Sequence, residues 1–343
     1  MKTLLPIFCL LALSCKPSPP EAPARNLPRV LITTDINLLG GDPDDNQSLI
    51  HLLWYADELD IVGIVPDNWK AEGPQAALKG LEKYQQDYTA GNWGEKGYPS
   101  PEQLKEKIAL TPAAAKEMIL TEGRKPEAPL YVLVWGQMTS LKEALFEAPE
   151  IAQNLRVLTI GTGRKYGPKD EVKGEDCEVV NWNGKGRNEI YEDARFDQMW
   201  WLESNWTYNG MFGGERPKEL MDQLQAFGAM GVHIKQVTDR HKWAQYFRAG
   251  DTPSVLYLLD PDHDPDDPTT SSWAGQFAHP FPDQRPHYYT DFNGEISWDY
   301  ADPCQSWDQV ERMYAFNKST LADRREDMYA ALLQKLERLY AVE

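Results

Sequence analysis

Residues 29–65 read RVLITTDINLLGGDPDDNQSLIHLLWYADELDIVGIV, and their pattern decides the fold. RVLITTD is a β-branched, apolar run ending in an acid, as a buried parallel strand reads. Beyond it, Leu49, Ile50, Leu52, Leu53, Ala56 and Leu59 recur at helical spacing, with Asp44 or Asp45 placed to cap the helix. DIVGIV, residues 60–65, reads as a second strand. Strand, helix and strand make a βαβ unit.

The same alternation continues outward. LYVLVW (130–135) and LRVLTI (155–160) read as strands, with a helix from about Thr139 to Glu147 between them. Residues 193–204 read as a strongly aromatic helix, and residues 252–259 as a buried helix or a strand. Residues 321–339 read as a closing amphipathic helix. Residues 91–101 and 260–298 read as long loops. The expected fold is α/β, a mostly parallel sheet with helices on both faces. The expected organisation is a lipoprotein signal peptide at 1–15, a tether at 16–28 and one domain at 29–343.

That N-terminal expectation rests on Lys2, an apolar run from Leu4 to Leu13, and the lipobox-like Leu11-Ala12-Leu13-Ser14-Cys15. The run is shorter than the ~20 residues that cross a bilayer. A protein lipid-anchored in the periplasm or outer membrane of a bacterium follows, with membrane contact through the N-terminal lipid only. Cys177 and Cys304 are then the cysteines left in the domain, too few for a thiolate zinc site. A formal charge of −18 argues against nucleic acid as a partner. Assembly into several copies is compatible with the sequence.

Chemistry concentrates between strand and helix. Asp35, Asp42, Asp44 and Asp45 lie within eleven residues, at the carboxyl end of the first strand, where open α/β sheets bind ligands. Capping uses one such acid; four converging acids call for a cation. The donors are oxygens with no Cys cluster or His pair beside them, which favours Ca²⁺ over zinc.

The run TTDI…GDPDDNQSLIHLLWYADELDIVGIV resembles the start of nucleoside hydrolases. It is still more similar to the bacterial cellulose-binding, Sde182-type nucleoside-hydrolase-like domain. Residues 130–141 (LYVLVWGQMTSL), 155–163, 250–261 (GDTPSVLYLLDP) and 272–277 (SWAGQF) agree in order. The resemblance implies a calcium site of Asp35, Asp45, Asp251 and the backbone carbonyl of Trp135. It implies that Asp35 also activates water, and that Asp44 grips sugar hydroxyls, with Asn183, Asn188 and Glu189 in the region that assists. Two departures stand out. The stretch from Asp35 to Asp44 is longer than in nucleoside hydrolases, so Asn37 and Asp42 compete for places near the metal. Gly250 stands where those enzymes commonly carry a histidine that helps the base depart.

The expected function is calcium-dependent hydrolysis of a carbohydrate or related glycoside. Its alternatives are non-catalytic binding of a cellulose-like polysaccharide and a salvage nucleosidase, against which Gly250 argues. Glu189, Asp193, His241, His263 and His279 are the candidates for protonating a leaving group. Trp200, Trp201, Trp206 and Trp273 are candidate sugar platforms; on a helix, Trp200 and Trp201 would diverge by about 100°, sending one to a cleft or partner. The acidic run 260–267 reads as a Pro-stiffened solvated loop, a border of the cleft or a holder of another cation.

Overall fold

The computed structural model describes residues 27–38, 43–165, 180–181, 186–241, 245–301 and 305–341. The expected signal segment with Cys15, most of the tether, and Asp42, Cys177, Asn183 and Cys304 lie outside the described residues.

The elements are β1 (Arg29–Thr34), α1 (Asp44–Trp54), β2 (Asp60–Pro66), α2 (Gly73–Ala90), α3 (Pro101–Glu106), α4 (Pro112–Gly123), β3 (Leu130–Trp135), α5 (Thr139–Glu147), β4 (Leu155–Ile160), β5 (Arg164–Lys165) and β6 (Val180–Asn181). There follow α6 (Arg187–Tyr191), β7 (Trp200–Ser204), α7 (Arg216–Leu224), α8 (Gly228–Thr238), α9 (Pro253–Leu259), β8 (Phe277–Ala278), β9 (Tyr288–Asp291), α10 (Trp307–Ala322) and α11 (Arg325–Leu339). Seven strands form one sheet in the order β2-β1-β3-β4-β7-β9-β8. All neighbours are parallel except β8 and β9. The α/β expectation with a mostly parallel sheet is therefore met.

Alternate side chains of each strand feed two cores. Val30, Ile32, Leu133, Leu158 and Leu202 pack with α1, α2, α8 and α11 on one face. Leu31, Val132, Val157 and Trp201 pack with α4 and α5 on the other. Burial on both faces is why these strands read as continuous apolar runs.

Several expectations need correction. Residues 193–204 are not a helix: a 3₁₀ turn at Ala194–Phe196 leads into strand β7. On a strand, Trp200 and Trp201 point to opposite faces, and both are buried, one in each core. Neither faces an open cleft. Trp206 and Trp273 are buried as well. Neither Asp44 nor Asp45 caps α1; Pro43 holds that position without a side-chain bond, and both acids sit in the first turn. The closing helix is two helices, α10 and α11, broken at Asp323 and Arg324. The segment 252–259 resolves into α9. Both expected loops carry regular structure: a 3₁₀ turn at Trp93–Lys96 around a fully buried Trp93, and β8 and β9. No helix among the described residues is long and apolar enough to cross a membrane.

Candidate functional site

Strand register sets the site. Thr34 pairs with Pro66 and with Trp135, so Asp67, Asp35 and Gly136 emerge side by side at the carboxyl edge. Ile160 pairs with Ser204, which places Gly161 beside Asn205 further along.

Asp35 is held by its own backbone. Its N–H donates to the Trp135 carbonyl at 3.2 Å, and its carbonyl accepts from Asn68 Nδ2 at 3.0 Å. Gly136 has φ of 135°, and a Cβ there would lie 2.7 Å from Asp35 Cγ. Only glycine leaves the Asp35 carboxylate its place. Asp67 braces the next loop, accepting from Ser140 N (2.9 Å), Ser140 Oγ (2.8 Å) and Trp69 Nε1 (2.9 Å).

The distal acid is brought in by Gln47. This fully buried amide donates to Thr238 Oγ1 and the Tyr246 carbonyl, and accepts from the N–H groups of Arg248 (2.7 Å) and Ala249 (2.9 Å). Ser48 Oγ accepts from Asp251 N at 3.3 Å. Ala249 has φ of 40°, a conformation side chains rarely adopt, which costs on the order of 1–3 kcal/mol and needs such clamping. Ser254 ties the start of α9 to β3, donating to the Asp251 carbonyl at 2.7 Å and accepting from Trp135 Nε1 at 2.8 Å.

The result is a cluster. Carboxylate oxygens of Asp44, Asp45 and Asp251 lie within 4.8 Å of one another. Asp45 also accepts a hydrogen bond from Thr34 Oγ1. Burial pushes the Asp45 carboxyl well above its usual range, and the charges of Asp251, Asp35 and Asp44 push it further. At an effective dielectric of about 20, two charges at such a separation repel by roughly 3–4 kcal/mol. The donors are all oxygens, a set suited to a hard divalent cation. Asp44, expected at the sugar, belongs to this tight group; Asp35, expected in the metal shell, stands beside it.

Other expected residues fall elsewhere. Glu189 is exposed and pairs with Lys142 at 3.2 Å. Asn188 Oδ1 accepts from Arg187 Nη1 at 3.3 Å. Asp193 caps the 3₁₀ turn and pairs with Arg195. His263 packs on Tyr257, and His279 stacks on Tyr289. His241 lines a small cavity with Asn37 and Asn46. Gly250 is crowded: a Cβ would lie 2.5 Å from Asp44 Oδ2 and 2.8 Å from Phe212 Cζ. A larger residue there would displace a cluster carboxylate or the Phe212 ring.

Sequence reading missed a second buried group on the same edge. Arg187 grips Glu203 through Nε (2.8 Å) and Nη2 (2.6 Å), and Tyr288 donates to Glu203 at 2.6 Å. With Asn205 and Asp291 these residues line a cavity of about 260 Å³ walled by Trp206, Trp298 and Tyr300. The available signal was an acid inside WWLESNW, since a charge amid an apolar run needs a buried partner.

Solved structures share this fold. A nucleoside hydrolase-related protein from Saccharophagus degradans, described as associated with carbohydrate metabolism, superposes with a TM-score of 0.61. It is 17% identical, over 92% of this chain and 73% of that one. An inosine-uridine preferring nucleoside hydrolase from Bacillus anthracis gives a TM-score of 0.51 at 16% identity, over 90% of this chain and all of that one. No curated protein matches the chain. The sequence profile of the family described as "Cellulose-binding Sde182, nucleoside hydrolase-like domain" matches residues 29–277 of the 343. The chain therefore belongs to the cellulose-binding Sde182, nucleoside hydrolase-like domain family.

Proposed function

We propose that the chain is a calcium-dependent glycosyl hydrolase acting on a carbohydrate or related glycoside outside the cytoplasm. The observation that carries this reading is the meeting of Asp44, Asp45 and Asp251, two hundred residues apart in sequence, within 4.8 Å. A divalent ion held by these acids, with the Trp135 carbonyl on the neighbouring strand, would neutralise their repulsion and supply positive charge to orient sugar hydroxyls. Asp35 is the general base in this scheme. Its fixed backbone and the bare Gly136 beside it hold the carboxylate ready to take a proton from attacking water. In this reading Asp44, which borders Gly250 and Tyr208, meets sugar hydroxyls as well as the ion. The family's carbohydrate association and the proposed lipid anchor at Cys15 both fit a polymeric or extracellular substrate.

Gly250 favours a second reading. With Phe212 and Asp44 packed against it, this position offers no acid to a departing base. That argues against a nucleosidase and fits a protein that binds a cellulose-like chain without cutting it.

The test is turnover. Purified protein is incubated with Ca²⁺ and a panel of oligosaccharides, nucleosides and aryl glycosides, in parallel with Asp35→Asn. Release of reducing sugar by the wild type only supports hydrolysis. Binding by both proteins with turnover by neither supports the binding role.

A further inference from the structure

A second, smaller cavity of about 60 Å³ lies behind the aspartate-rich turn. Asn37 after β1, Asn46 of α1, Lys79 of α2, and His233, Arg240 and His241 of α8 and the residues after it all line it. A water takes roughly 30 Å³ of liquid volume, so the space suits a group of a few heavy atoms and not a sugar ring.

Its charge is opposite to that of the molecule. The chain carries −18 overall, yet Lys79 and Arg240 belong to no ion pair among the described residues. The nearby acid Asp239 is taken by Lys235. His233 is only 2% exposed, and its Nδ1 has no hydrogen-bond partner among the described residues. Burial, with Lys83, Lys79 and Arg240 close by, pushes His233 down to about 4, so it stands there neutral. A buried polar atom without a partner carries a desolvation cost that a ligand would relieve. Exposed acids farther than about 8 Å are screened at physiological ionic strength, while the buried carboxylates of the aspartate cluster act on the site with less screening.

We propose that this cavity is an anion site that takes one oxyanion group, a phosphate, sulfate or carboxylate, between Lys79 and Arg240 over His233. Pro43 and Asn46 of its wall flank Asp44 and Asp45 directly, which at about 3.8 Å per residue puts the anion within roughly 10 Å of the aspartate cluster. The anion is either a free ion or a substituent on the glycoside held at the cluster; the second form rests on the sugar reading above.

Calorimetric titration of the full chain with inorganic phosphate tests the site. Wild type and the exposed-lysine control Lys105→Gln bind alike, and Lys79→Gln with Arg240→Gln weakens binding at least tenfold. Raised salt weakens the wild type. Absence of phosphate binding, or equal binding by the double variant, overturns the site. Glucose 6-phosphate, glucuronate and glucose, each with Ca²⁺, separate the two sources. A substituent shows as at least tenfold tighter binding of an anionic sugar than of phosphate or glucose, lost in the double variant and in Asp251→Asn. A free ion shows as anionic sugars binding no tighter than phosphate, with Asp251→Asn leaving both unchanged. Because phosphate alone reads the cavity, failure of the sugar reading leaves that first result intact, and failure of the cavity leaves glucose and Ca²⁺ binding intact.

Discussion

Glu203 and Asp45 are both buried carboxylates at the carboxyl edge of one sheet, three strands apart. Burial raises Glu203 too, but Arg187's charge and hydrogen bonds, with Tyr288 and Thr162, outweigh it and hold the carboxyl below its usual range. Asp45 has the hydroxyl of Thr34 on its side and three carboxylates against it, and is held far above that range. The same burial therefore yields a self-sufficient ion pair in one place and an unbalanced group in the other. The first closes a structure; the second calls for a cation from outside.

The sharpest way to break this contrast is to unbalance the balanced group. Arg187→Met leaves Glu203 charged and buried, and is expected to cost about 3–5 kcal/mol in urea unfolding. Adding Glu203→Gln to that variant should restore part of the loss. A cost under about 1 kcal/mol would show that the pair is not what holds this region.

The converse is to balance the unbalanced group. Ca²⁺ at a hundredfold excess over its dissociation constant should stabilise the wild type by about 2.7 kcal/mol, read as a rise in Tm, and should not stabilise Asp251→Asn.

Removing one acid should do the same without metal. In chelator, Asp45→Asn is expected to stabilise the protein at pH 7, because it removes a carboxyl that burial and the charges of Asp251, Asp35 and Asp44 hold above its usual range. The pH dependence carries the sign. Asp45 is raised on folding, so its contribution is favourable below the unfolded value of 3.8 and lost as pH climbs through the raised one. Glu203 is lowered, so its contribution is present above the unfolded value of 4.5 and lost as pH falls through its folded value. Asp45→Asn should remove only the first slope.

The smallest expected effect is at Gly250. Gly250→Ala should cost about 1 kcal/mol, the low end for overpacking, because the Asp44 carboxylate can swing aside. It should also weaken the calcium response, since that carboxylate belongs to the cluster.

The strands β1, β3 and β4 were legible because six-residue apolar runs between turn signals have few other readings. Strand β7 was not, because Glu203 interrupts its five-residue run WWLES and the buried partner that permits a charge there, Arg187, lies outside it. The break between α10 and α11 was hidden for a related reason: Leu321 and Met328 both face the core, so the apolar spacing runs on across the kink. In the site, the acids of the turn and Asp251 were visible as residue types in familiar runs. Gln47, which clamps the Asp251 segment through its amide, was not, since a lone glutamine carries no pattern. Arg187 and Glu203 are sixteen residues apart and meet only once β7 is a strand.

Titration of Ca²⁺ into chelator-treated protein by calorimetry tests the central claim most directly. One equivalent bound by the wild type and none by Asp251→Asn is the expected result. No binding by the wild type, or the same binding by both, would contradict a shared carboxylate site.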